Sequence, residues 1–156
     1  MGSRSSFDMS KMSTADRILL GAGFLFFIDL ILPWQRVCVS FLGVKGCGSA
    51  TAYGGNGSWA GWLAGIFSLL LLVWLVLNLM GVNLEVGAPA STISSALVAG
   101  TVLFGLLKFV LVIANHSFIG AWLGLILLIA VAYGAYMKMQ EPKGTLLPPA
   151  PPGPAV

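Results

Sequence analysis

The chain has 156 residues, of which 58% are hydrophobic and 8% are charged, with a formal net charge of +3. Soluble domains carry about 25% charged residues. This composition therefore excludes an ordinary water-soluble fold and indicates a protein that is embedded in a lipid bilayer. The basic residues are spread thinly along the chain, so no nucleic-acid partner is expected. A single histidine and five acidic residues leave most enzyme mechanisms without their reacting groups, so we expect neither catalysis nor a cofactor.

Four apolar segments organise the chain. The clearest, residues 58–80, contains no charge, and about 20 apolar residues are enough for a helix to cross ~30 Å of hydrocarbon. The sequence therefore predicts an all-α membrane protein, a bundle of four transmembrane helices within residues 13–138. These helices are expected at residues 15–32, 58–80, 92–114 and 118–137.

The start of the chain can be interpreted in two ways. Residues 1–12 are polar and predict a flexible cytoplasmic tail, after which Ser13 and Asp16 resemble a capping box. The charged start and the apolar run that follows also resemble a signal peptide. A retained first helix is favoured, because Asp29 lies inside the apolar run and Pro33 stands where a small-residue cleavage site would be.

The only long connection, residues 34–57, predicts a small external β-hairpin. Its first part alternates and is β-branched, as in a strand, and a glycine-containing turn follows. It holds both cysteines of the chain, Cys38 and Cys47. In an oxidising compartment they predict a disulfide that stabilises the loop by about 2–3 kcal/mol. A metal site or a redox pair is the alternative, but the loop has no His, Asp or Glu and no CxxC motif.

Lysine and arginine positions predict the orientation, because cytoplasmic loops carry an excess of these residues. On the side of the hairpin lie only Arg36 and Lys45. The other side collects Arg4, Lys11, Arg17, Lys138 and Lys143. The sequence therefore predicts a multi-pass protein of a plasma membrane (the inner membrane in a bacterium), with both termini cytoplasmic and the hairpin outside.

Asp29 and Lys108 are the charges expected well inside helices. An isolated charge at the bilayer centre costs about 2.5–3.5 kcal/mol, so such residues are usually paired or functional. Both lie a few residues before the same end of their helices, which predicts an ion pair between helices 1 and 3. Separate snorkelling of the two side chains is the alternative. A third interpretation is a cation or proton site, because Pro33 removes the amide that would bond the Asp29 carbonyl.

Further residues are expected to pack helices or to mark the membrane surface. The small-xxx-small pairs that predict close helix packing include Gly61, Gly65, Gly120 and Gly124. The aromatic residues expected at the membrane surface are Trp34, Trp59, Trp62, Trp122, Tyr133 and Tyr136. His116 falls in the short turn between helices 3 and 4 and is interpreted as a solvated turn residue.

Two phrases of the first helix carry a family resemblance: Ala15-Asp16-Arg17-Ile18, and Ile28-Asp29-Leu30-Ile31-Leu32-Pro33-Trp34. They resemble small four-helix membrane proteins of unknown function that are common in high-GC Gram-positive bacteria. The resemblance covers helices 1 and 2 and the loop between them, and it implies no activity. The four-helix plan with a spaced cysteine pair in the first loop is also similar to the architecture of claudins, although the Gly-Leu-Trp element of claudins is missing.

These features predict a non-enzymatic accessory or structural membrane protein. Its external disulfide loop and its helix faces would contact another membrane protein or a second copy. The proline-rich segment 139–156 is expected to be an extended cytoplasmic spacer. The alternative is a small oligomeric channel or transporter subunit that uses Asp29 and Lys108, and a redox subunit is a third option that the single histidine disfavours.

Overall fold

The computed structural model describes residues 12–82, 87, 89–114 and 118–141. The helices and strands, in chain order, are α1 (Thr14–Asp29), β1 (Pro33–Phe41), β2 (Val44–Thr51), α2 (Ser58–Leu79), α3 (Ala90–Ile113) and α4 (Ile119–Gln140). Residues 1–11 and 142–156, which make up most of the two predicted tails, lie outside the described residues, and so does the turn that contains His116.

The four helices form a ring. α1 contacts α2 and α4, and α3 contacts the same two helices. Three of them, α2, α3 and α4, have 22, 24 and 22 residues and are long and apolar enough to cross a membrane. At 1.5 Å per residue they span about 33–36 Å, which exceeds the ~30 Å of a bilayer core. A membrane protein with a four-helix bundle is therefore supported, whereas a fourth transmembrane helix is not shown.

The first helix ends earlier than the sequence predicted, at Asp29 in place of residue 32. The amide of Leu32 bonds the carbonyl of Asp29, and the amide of Ala52 bonds the carbonyl of Leu30. Terminal carbonyls of a helix need partners from outside the helix. Here a tight turn and the end of the hairpin supply them, so the chain leaves the helix before Pro33. At its other end, Ser13 caps α1 through the amide of Asp16, as predicted.

The predicted hairpin and disulfide are confirmed. β1 and β2 form a two-stranded antiparallel sheet in which Cys38 lies directly opposite Cys47, and the two cysteines are disulfide-bonded. The turn consists of Leu42 and Gly43, both with positive φ. This is the pattern of the mirror-image turns that match the twist of a hairpin.

Two apolar clusters fill the bundle. The cluster near the hairpin includes Phe26, Trp34, Val112 and Leu128. The cluster at the opposite end includes Leu19, Leu71, Val98 and Val131. Outside these clusters the helices expose many large apolar side chains. A soluble protein rarely shows such a continuous apolar surface, so the outside of the bundle is suited to lipid.

Candidate functional site

The hairpin end of the bundle holds three buried polar side chains, those of Asp29, Gln35 and Lys108. Burying such groups is costly unless partners compensate for the lost water. We call residues 33–35 and 50–57 the hairpin base, because they join the hairpin to the bundle. Residues 36–49 are the hairpin arms. The base and the side chains beneath it form the candidate site.

Lys108 holds the base from below. Its side chain is fully buried, and its Nζ donates to the carbonyl oxygens of Gly54 at 2.9 Å and of Asn56 at 2.6 Å. Gly55 and Gly57 have left-handed backbone conformations, which the absence of a side chain makes accessible. The chain therefore turns twice within a few residues, and two carbonyls meet at one ammonium group. Charge-assisted bonds of this kind are among the stronger hydrogen bonds in proteins.

The predicted ion pair between Asp29 and Lys108 is wrong. Neither carboxylate oxygen of Asp29 has a hydrogen-bond partner among the described residues, and the ammonium of Lys108 is bound to the loop carbonyls. The physical reason is reach: the four-carbon stem of lysine extends beyond its own helix. Backbone carbonyls, which a sequence pattern does not locate, compete with the carboxylate for the ammonium.

The prediction that the Asp29 carbonyl lacks a hydrogen-bond partner is also wrong. That oxygen accepts two hydrogen bonds, one from the backbone amide of Leu32 and one from the indole N–H of Trp34, each at 2.9 Å. What remains at this position is the carboxyl group itself, which is 1% exposed and has no hydrogen-bond partner among the residues that the structure describes. Its Oδ2 faces α4, where a Cβ on Gly124 would lie only 2.6 Å away.

Trp34 is a core residue, and its predicted place at the membrane surface is wrong. Its ring is fully buried and lies edge-on to Phe26, with ring centroids 6.5 Å apart. Its backbone oxygen accepts from the amide of Phe118, just before α4. Trp34 thus joins α1, β1 and α4. Its indole N–H can be buried because the carbonyl of Asp29 accepts its hydrogen bond.

The remaining predicted surface aromatics are exposed, as their expected position requires. They are Trp59, Trp62, Trp122, Tyr133 and Tyr136, each about half exposed. Trp62 packs against Tyr53 of the base, with ring centroids 4.9 Å apart. Burial raises the pKa of the Tyr53 hydroxyl, so this ring stays neutral. A place at the membrane surface stays a prediction for these aromatics.

The four glycines predicted to pack helices are all buried, but they make room mainly for the hairpin base. A Cβ on Gly61 would overlap the carbonyl of Ala52, and one on Gly65 would lie 2.8 Å from the Tyr53 hydroxyl. On α4, Gly120 faces the carbonyl of Pro33, and Gly124 faces Trp34 and Asp29 as described above. The sequence located the small residues correctly, but their main close neighbours are the two ends of the hairpin.

The opposite end of the bundle carries a different group of polar residues. Asp16 and Lys138, which the sequence did not pair, form a partly exposed ion pair between α1 and α4. An open cavity of about 660 Å³ lies beside it, lined by Leu19, Ser91, Thr92, Ser94, Ser95, Val98, Ala135, Lys138, Met139 and Glu141. None of the candidate site residues lines this cavity.

Gln35 was missed by sequence reasoning. It is buried, and its Nε2 is 3.5 Å from the carbonyl oxygen of Gly54, the same carbonyl that Lys108 binds. Its Oε1 has no hydrogen-bond partner in the part of the chain that is described. The one available signal was the glycine-rich stretch 54–57, whose sharp turns present carbonyls to the bundle. Nothing in the sequence paired that stretch with position 35 or 108.

Comparison of the chain with protein-family models, with curated proteins and with solved structures finds no match. The function must therefore be inferred from the residues of this chain. Chemically, the site is a clamp: a buried cation and a buried indole bind backbone carbonyls and so fix the hairpin base. The carboxyl of Asp29 lies beside the indole, and neither it nor the Oε1 of Gln35 has a hydrogen-bond partner among the described residues.

Proposed function

We propose that this chain is a non-enzymatic, multi-pass membrane protein whose hairpin arms bind another protein outside the membrane. α1 would be the fourth transmembrane helix, with both termini in the cytoplasm of a cell whose plasma membrane holds the protein. This orientation rests on the distribution of lysine and arginine. α1 has 16 residues and spans about 24 Å at 1.5 Å per residue, so it would be a short span that local thinning of the bilayer accommodates.

One observation carries this proposal: the base is fixed by buried groups, while the arms are exposed and apolar. Val39, Phe41, Leu42 and Val44 are between 69% and 89% exposed. Exposed clusters of large apolar residues on an ordered element are typical of interaction surfaces. The disulfide holds the two arms in register, so a partner would meet a preformed surface and lose little conformational entropy on binding.

The proposal can be tested with a photoreactive residue on the arms. A benzophenone-bearing amino acid replaces Val39, and the full chain is irradiated in intact cell membranes. We expect a covalent adduct with a protein, identified by mass spectrometry, and none when the same residue replaces Arg36. Adducts with lipid alone, or equal protein adducts from both positions, would contradict a protein-binding role for the arms.

One observation favours a second candidate function, that of a small channel or transporter subunit. The carboxyl group of Asp29 is buried and has no hydrogen-bond partner in the described part of the chain, and such a residue within a membrane is often part of an ion or proton path. In vesicles loaded with a pH-sensitive dye, a transporter would give proton flux above that of empty vesicles. That flux would be lost in Asp29→Asn. We expect the wild-type protein to give no such flux.

A further inference from the structure

The two faces of the hairpin arms differ in chemistry. Residues that are paired directly across an antiparallel ladder have their side chains on the same face. One face therefore collects three pairs: Val37 with Gly48, Val39 with Gly46, and Phe41 with Val44. We call it the valine–glycine face. The other face carries Arg36, Ser40, Lys45, Ser49 and the disulfide.

The two glycines of the valine–glycine face have open space above them. A Cβ on Gly46 or on Gly48 would meet no atom within 4 Å, and neither glycine has a positive φ. The hairpin itself therefore does not require glycine at these positions, and glycine weakens a strand. Glycine in a strand often marks the place where another group approaches closely. Val37 and Val39 lie on β1. Gly46 and Gly48, which we call the glycine shelf, lie on β2 and leave room for a group from a partner.

We propose that a second copy of this chain occupies the valine–glycine face, which rests on the proposed function of the arms and names their partner. Two hairpins would pack face to face about a two-fold axis parallel to the strands. β1 of each copy then lies over β2 of the other, so Val39 fits above Gly46 of the second copy and Val37 above its Gly48. Such self-complementarity is what a two-fold interface requires.

The symmetry fits two copies in one membrane when the strands run along the membrane normal. An axis parallel to the strands keeps both hairpin turns on the same side of the pair, and both bundles on the other side. Arg36 lies over the ring of Phe118 at 5.8 Å, so the polar face is turned toward the start of α4 near the base. The valine–glycine face is consequently turned away from the chain's own α4.

Charge favours the same arrangement. Arg36 and Lys45 lie on the other face, and residues 33–51 include no acidic side chain. Like charges would repel if the polar faces met, whereas the valine–glycine faces meet without charge.

The test uses two full-length versions of the chain with different epitope tags, purified separately and reconstituted together in phosphatidylcholine vesicles. The benzophenone residue replaces Phe41 in one version, and Ser40 in a control on the opposite face. We expect an adduct that carries both tags and has twice the mass of one chain from position 41, and at least tenfold less from position 40. Lipid adducts alone from position 41 would overturn the second-copy proposal.

A pair of variants tests the glycine shelf. Gly46→Val fills the shelf, its Cβ meets no atom within 4 Å in its own hairpin, and valine is favoured in strands. We expect it to keep the disulfide and to reduce the dimer adduct at least tenfold. Ser49→Val, the matched change on the polar face, should leave the adduct unchanged. An undiminished adduct in both Gly46→Val and Gly48→Val would overturn the interface.

The two proposals fail in distinguishable ways. In cell membranes, position 39 could form adducts with a different protein and none with a second copy of the chain. That result would overturn the second-copy proposal but would leave the binding role of the arms intact. The absence of any protein adduct in cell membranes and in vesicles overturns both proposals.

Discussion

The hairpin base and the hairpin arms belong to the same two strands, yet they are held by different means. The base is buried: Trp34 and Ala52 have no exposed surface, and the ammonium of Lys108 binds two of its carbonyls. In the arms, by contrast, every residue is exposed, and the disulfide between Cys38 and Cys47 is the one covalent tie.

This difference separates anchoring from recognition. A two-stranded hairpin alone is marginally stable in water, so the base must be fixed if the arms are to keep one orientation. The bundle provides that fixation with buried polar side chains that would otherwise be costly. The arms are then free to present apolar residues that contribute nothing to the core.

The largest effect is expected from removing the anchor. Lys108→Met keeps the length of the side chain but removes the ammonium that binds both the Gly54 and the Asn56 carbonyl, and the Gly54 carbonyl keeps only the longer contact from Gln35 Nε2. We expect a loss of about 3 kcal/mol in the free energy of unfolding, measured by steric trapping in bicelles. Lys138→Met, which breaks the partly exposed ion pair with Asp16, is the control and should cost less than about 1 kcal/mol. Equal effects would mean that Lys108 is no anchor.

Reduction of the disulfide should loosen the hairpin arms and leave the structure of the base unchanged. Reduction removes a short-loop constraint worth about 2–3 kcal/mol, and the arms have little else to hold them. Trypsin cuts after Arg36 and Lys45, so we expect cleavage at both sites to accelerate at least tenfold on reduction. The indole N–H resonance of the buried Trp34, assigned by NMR among the five tryptophans of the chain, should stay unchanged. Loss of that signal would show that the disulfide also supports the base.

Two glycine substitutions compare the regions directly. Gly61→Ala places a methyl group against the carbonyl of Ala52 in the base, and we expect overpacking to cost about 2 kcal/mol. Gly46→Ala adds the same methyl group in the arms, where it meets nothing within 4 Å. Its effect should be below about 0.5 kcal/mol. Thermal unfolding in detergent should give a lower Tm for Gly61→Ala than for Gly46→Ala. A lower Tm for Gly46→Ala would contradict the close packing of the base.

The smallest effect is expected at the turn. Leu42 has φ +49° and is 89% exposed, although asparagine is far better suited to this conformation than leucine. Leu42→Asn should stabilise the arms by about 1 kcal/mol and slow their amide exchange about fivefold. No slowing would mean that the turn is not strained.

Much of the fold could be predicted because long apolar runs have few alternatives. The predicted bounds of helices 2–4 agree with α2, α3 and α4 within three residues, and the position of the disulfide follows from the spacing in a two-strand loop. The end of α1 was less predictable. It depends on donors from Trp34 and Ala52, which are brought there by tertiary structure.

The candidate site was predictable only in part, for a related reason. Asp29 and Lys108 stand out as charges in apolar segments, so the sequence identified the residues. It did not identify their partners, because the acceptors of Lys108 are backbone carbonyls, which every residue has. Trp34 was misassigned because a tryptophan after a helix occurs both at membrane surfaces and in cores.

The most direct test of an anchored base with free arms is hydrogen exchange of the full chain in lipid nanodiscs, resolved by residue. We expect the amides of Ala52 and Gly54, which donate to Leu30 and Thr51, to exchange at least about 100-fold more slowly than the edge amides of the arms. Exchange of the base at the rate of the arms would contradict the account, because the buried contacts of Lys108 and Trp34 would then not fix the hairpin.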